Sequence, residues 1–291
     1  MTSVPSLSHP LHPELPDGVS PPPTPRRGDD SRLGVPAWAP FAVFLAAIVA
    51  TQILGSIVVV GFGVEADDDV ANMALTFAFD LMLVGFALAL VWRRNGFVTP
   101  AQFALRPAPW LKSIAWIVGS FIAVAIANGI IVTLFGKPPD QDIVTDLKSE
   151  DSLVLLAGFG FTTCVLAPLA EEFFFRGFLF RSLAERMHLA WAALIAGGIF
   201  GLVHWPGGSL EGVAVLGTLG VLLCLMVYYT ASLLPGIIMH ASFNSLAFGS
   251  TKELPWWGYL LVLAGSVATT LAISLMATRL GRRAAPGLAP A

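Results

Sequence analysis

Residues 153–180 read LVLLAGFGFTTCVLAPLAEEFFFRGFLF, and this stretch decides what kind of molecule the chain forms. A helix needs about 20 apolar residues to cross a hydrocarbon core roughly 30 Å thick, and this run is longer than that. Its only charged side chains are Glu171, Glu172 and Arg176. A carboxylate or guanidinium at mid-bilayer costs on the order of 3 kcal/mol, so such residues face the bundle interior and mark function. The stretch therefore predicts a membrane helix carrying a buried polar centre.

The rest of the chain agrees. Of its 291 residues 56% are hydrophobic and only 12% charged, where soluble domains carry about 25% charged residues. Long apolar runs cover Pro40–Val64, Val70–Trp92, Ser113–Phe135, Val213–Thr230 and Trp256–Ala277. Leu189–His204 and Leu233–Phe248 are short, and are taken as spans because they carry further polar residues and would otherwise leave apolar surface in water. An all-α, polytopic bundle of about eight transmembrane helices is expected. With eight spans, twelve of the sixteen basic residues fall on one side: Arg26, Arg27, Arg32, Arg93, Arg94, Arg106, Lys112, Arg181, Arg186, Arg279, Arg282 and Arg283. Only Lys137, Lys148 and Lys252 fall on the other. Basic residues gather on cytoplasmic flanks, so both termini are expected in the cytoplasm. The Ala-, Gly- and Pro-rich composition suggests a bacterial plasma membrane.

Residues 1–37 hold nine of the 21 prolines and no long apolar run. They are expected to form a disordered, Pro-rich cytoplasmic tail, followed by a helical domain over 38–280 and a short basic tail over 281–291. Net charge is -3, so no nucleic-acid partner is expected. Cys164 and Cys224 lie in apolar runs without a CxxC pair and read as small buried hydrophobes. No repeat of 20–50 residues recurs.

Further polar residues sit in two other apolar runs. One ends Phe200-Gly201-Leu202-Val203-His204-Trp205, and the other reads Pro235-Gly236-Ile237-Ile238-Met239-His240-Ala241-Ser242-Phe243-Asn244. Residues four apart share a helical face, which makes neighbours of Glu172 and Arg176, of Phe200 and His204, and of His240 and Asn244. Glu171 and Glu172 are about 100° apart around the axis, so they take different jobs. Glu171 is assigned as the free carboxylate and Glu172 as the partner of Arg176, with the reverse order left open. Two chemistries suit the set. A desolvated glutamate can act as general base on water, with His and Asn donating to the oxyanion. Alternatively Glu171, His204 and His240 could hold zinc with an open position, although no HExxH motif is present.

In order along the chain these residues form EExxxR (Glu171, Glu172, Arg176), FxxxH (Phe200, His204) and HxxxN (His240, Asn244). Together they resemble the CAAX-protease and bacteriocin-processing family, also called Abi, of intramembrane proteases. The resemblance covers roughly residues 150–250. It implies an eight-helix protease fold opening to the cytosol, acting on a membrane-embedded or lipidated protein or peptide in the lipid bilayer. Eukaryotic members remove the last three residues of prenylated CAAX proteins. Carried over, the water-activating glutamate falls on Glu171, the assisting histidines on His204 and His240, and the oxyanion-stabilising asparagine on Asn244. The resemblance leaves a metal-free glutamate mechanism and a zinc mechanism both open.

Two other classes compete. A transporter could use the buried charges as an ion path, with Pro168 and Pro235-Gly236 as helix breaks, and an immunity or scaffold protein could retain the fold without catalysis. Asp80, midway along its span and outside the motifs, is expected to be a hydrogen-bonded structural aspartate. One tension stands: His204 falls at the outer end of its span, whereas Glu171 and His240 lie deeper, so the helix bearing His204 must start deeper or tilt.

Overall fold

The computed structural model describes residues 32–65, 68–136, 142–205 and 208–284. Among them there is no strand. Six helices are long and apolar enough to cross a membrane: α1 (Ala39–Gly61), α2 (Asp69–Asn95), α3 (Trp110–Phe135), α5 (Leu153–Ala184), α7 (Leu210–Thr230) and α9, whose apolar part is Trp256–Gly281. Three more complete the order: the eight-residue α4 (Asp142–Ser149), α6 (Leu189–Leu202) and α8 (Leu234–Thr251). The outward faces of α1 and α3 expose Val60, Phe62, Leu134 and Phe135. Surface of this kind suits lipid rather than water, and the protein is an integral membrane protein.

Helix ends follow local chemistry. Asp68 caps α2 by accepting from Ala71 N at 2.8 Å, and Gly96, at φ +75°, closes it. Ser209 caps α7 by accepting from Gly212 N. Pro235 lies in the first turn of α8, where the missing N–H costs nothing, so it starts a helix instead of breaking one. Pro168 lies inside α5, which stays continuous because the turn before it, Thr162–Leu166, widens to π geometry. A second π stretch runs from Glu172 to Phe180.

The motif helices pack against one another through glycine. A Cβ on Gly197 of α6 would lie 2.5 Å from Val221 N of α7, and one on Gly201 would lie 2.4 Å from the Val213 carbonyl. Small residues four apart let membrane helices meet backbone to backbone. The core beside them is aromatic, with Phe103, Phe174, Phe175, Phe178, Phe180 and Phe200 all buried. Two of the three phenylalanines after Glu172 are therefore core, and Phe173 lies at a cavity wall.

Residues 1–31 and 285–291 lie outside the described residues, and with them most of both expected tails. Residues 32–37 are described and packed: Leu33 and Val35 are fully buried. Leu33 N donates to Glu185 Oε1 at 3.0 Å, Asn95 donates to the Leu33 carbonyl at 2.9 Å, and Arg186 donates to the Val35 carbonyl. Composition alone hid this, because a short apolar triplet after a Pro-rich segment carries no periodicity. At the other end α9 continues to Ala284.

Candidate active site

Four helices build the polar centre. On α5 the wide turn after Glu171 places Glu172 and Arg176 inward, both fully buried, with Arg176 Nη1 2.8 Å from Glu172 Oε1. His240 of α8 brings Nδ1 to the same carboxylate oxygen at 3.0 Å. That oxygen can only accept, so Nδ1 carries the hydrogen and His240 Nε2 presents a lone pair when the ring is neutral. Nε2 lies 3.8 Å from Glu171 Oε2, too far for a direct hydrogen bond. Glu171 Oε2 has no partner.

The second ring of contacts fixes this arrangement. Arg176 Nη2 donates to the Gly220 carbonyl of α7 at 3.4 Å, and its guanidinium sits 4.2 Å from the centroid of the Phe200 ring, a favourable cation–π contact. Phe200 also meets His240 edge-on at 5.6 Å between centroids and lies 4.8 Å from the His204 ring. Gly236 is what lets α8 settle on Glu172, since a Cβ there would come within 2.9 Å of Glu172 Oε2.

His204 follows α6, which has 14 residues and so spans about 21 Å at 1.5 Å per residue. The His204 ring lies 4.8 Å from that of Phe200, which in turn meets His240 at 5.6 Å, so the three rings gather at one level of the bundle. His204 Nδ1 lies 2.7 Å from the Phe200 carbonyl and must donate to it, leaving Nε2 for proton exchange.

Asn244 takes a position not foreseen from its motif. Its amide donates to the Thr163 carbonyl at 2.8 Å. In the π turn Ala167 N bonds to the Thr162 carbonyl, and Pro168 has no N–H, so Thr163 lacks the main-chain donors that would normally serve it. The side chain of Asn244 supplies one and keeps its second N–H and its carbonyl oxygen. The signals were Pro168 in an apolar run and an amide on a facing helix, but nothing local says that they meet.

The set Glu171, His204 and His240 does not close around a metal. Among the described residues no three His, Cys, Asp or Glu side chains form a group that could hold one. The residues as placed do not fit a three-ligand zinc site. Asp80 is buried on α2 with Oδ2 lacking a partner, which differs from the hydrogen-bonded aspartate expected there.

Residues 153–246 match a family model described as Rce1-like, type II CAAX prenyl endopeptidase Rce1-like. The match spans α5, α6, α7 and most of α8, the helices that carry all three motifs, and it is the family those motifs resemble. No curated protein and no solved structure matches the chain.

Proposed function

We propose that this chain, Rce1-like over residues 153–246, hydrolyses a peptide bond of a membrane-associated protein or peptide, with Glu171 activating the water. The observation that carries the reading is the gap between Glu171 Oε2 and His240 Nε2. Two acceptors stand 3.8 Å apart, and a water set to one side of that gap donates one hydrogen to each at ordinary hydrogen-bond length. A water with both hydrogens engaged presents its lone pair outward.

In the reaction the water oxygen attacks the peptide carbonyl while Glu171 takes one of its protons. The tetrahedral oxyanion is met by the free N–H of Asn244 and by His204 in its protonated form. Collapse breaks the C–N bond, and the leaving amine takes the proton that Glu171 holds. Arg176 and Glu172 do not touch the substrate in this scheme. They orient His240 and fix its tautomer.

The same reading takes α6 and α8 as membrane helices, giving eight in all, with both termini on the cytoplasmic side of a bacterial plasma membrane. Residues 1–37 include the cytoplasmic tail. The test is comparative proteomics of membrane fractions carrying wild type or Glu171→Gln. New protein termini present with wild type and absent with the variant, at equal membrane abundance, are expected. Identical termini in both would overturn the proposal.

A further inference from the structure

Between α2, α5, α8 and α9 lies a cavity of ≈ 460 Å³, within the range of about 300–1,000 Å³ usual for ligand sites. Its walls are almost wholly apolar, with Phe77, Phe103, Phe173 and Ile237 among them. Two lining residues are neither apolar nor satisfied. Asp80 of α2 is 5% exposed and Ser274 of α9 is 2% exposed. Asp80 Oδ2 and Ser274 Oγ both lack a hydrogen-bond partner. Orphaned polar atoms in an apolar wall are costly, and here two from different helices share one cavity.

We infer that this cavity binds an aliphatic chain bearing a hydroxyl group. The chain packs on the apolar wall, and the hydroxyl pairs with Asp80 Oδ2 and Ser274 Oγ. A hydroxyl both gives and accepts a hydrogen bond, so it complements the carboxyl in either protonation state. Other head groups fit worse. A plain hydrocarbon leaves both orphans unpaired, a carboxylate or phosphate brings like charge to Asp80, and an ammonium would be desolvated among aromatic rings. Ala170, beside Glu171 in sequence, also lines the wall, so the cavity adjoins the hydrolytic cluster, and Asp80 lies close enough to Glu171 to feel its charge.

The test uses the full chain in phosphatidylcholine nanodiscs, photolabelled with a diazirine-bearing long-chain alcohol. Labels are expected on peptides of α2 or α9. Hexadecanol is expected to displace the probe about tenfold better than hexadecyl methyl ether, which cannot donate. Asp80→Leu should abolish that preference, Ser274→Ala should reduce it about threefold, and Ala277→Phe, which fills the cavity, should abolish labelling. The readout is displacement of a bound probe and needs no cleavage, which separates this result from the fate of the peptidase reading. Equal displacement by alcohol and ether, labels confined to other helices, or a preference that survives Asp80→Leu would each overturn the inference.

Discussion

Two polar regions lie buried in this membrane protein, and they treat polarity in opposite ways. Around α5 and α8, Arg176, Glu172 and His240 are linked in a chain of contacts at 2.8 and 3.0 Å, while Glu172 Oε2 and Arg176 Nε keep no hydrogen-bond partner. In the cavity beside α2 and α9, Asp80 Oδ2 and Ser274 Oγ are left unmatched. Both regions are buried, so the difference lies in how their polar groups are partnered. A linked network holds its members in one geometry, and at its edge Glu171 Oε2, without a hydrogen-bond partner, lies 3.8 Å from His240 Nε2. An open pair has no geometry of its own to defend and awaits a partner.

The largest effect should come from Glu171, at the edge of the linked region. Glu171→Gln keeps shape and removes the base, and cleavage is expected to fall by about 10²–10⁴-fold with thermal stability unchanged. An equal loss of stability would mean that Glu171 belongs to the scaffold. Next comes the scaffold itself. Arg176→Met leaves Glu172 buried without its cation, which should destabilise the fold by about 3–5 kcal/mol, read as a lower unfolding midpoint in detergent. Adding Glu172→Gln should recover part of that loss. If Arg176→Met unfolds like wild type, the network is not linked in the way described.

How far these regions could be read from sequence differs for a physical reason. The linked one was legible where spacing within a helix decides contact. Glu172 and Arg176 are four apart and meet, and Glu171, one residue earlier, points elsewhere. Contacts between helices were not legible. Asn244 serves Thr163 only because Pro168 strips that carbonyl of its donor and α8 crosses α5 at that level. Gly197 and Gly201 stand in plain view as G-x-x-x-G, yet their partner α7 is set by the whole bundle. The open region was hardest. Asp80 could be flagged as anomalous, but Ser274 could not, because a lone serine in an apolar helix usually bonds its own backbone. The family match covers residues 153–246 and says nothing of the cavity, most of whose lining residues lie outside it.

The link between Asn244 and Pro168 can be tested by a double-mutant cycle, where a smaller effect is expected. Asn244→Ala should cost about 1–3 kcal/mol, the range for leaving one buried acceptor unpaired. In a Pro168→Ala background the new N–H at residue 168 can serve the Thr163 carbonyl, so the cost of Asn244→Ala should shrink by about 0.5 kcal/mol or more. Additive effects would show that Asn244 does not stand in for the proline's missing hydrogen.

The smallest change should fall in the open region, with the opposite sign. Asp80→Leu replaces an unpaired carboxyl with a side chain that suits the wall around it, so stability in lipid-free detergent should rise by about 1 kcal/mol. Such a gain would match an atom kept for something other than the fold. A loss of stability would mean that Asp80 is satisfied within the protein. The two regions would then be alike in kind, both linked, and the contrast between them would fail.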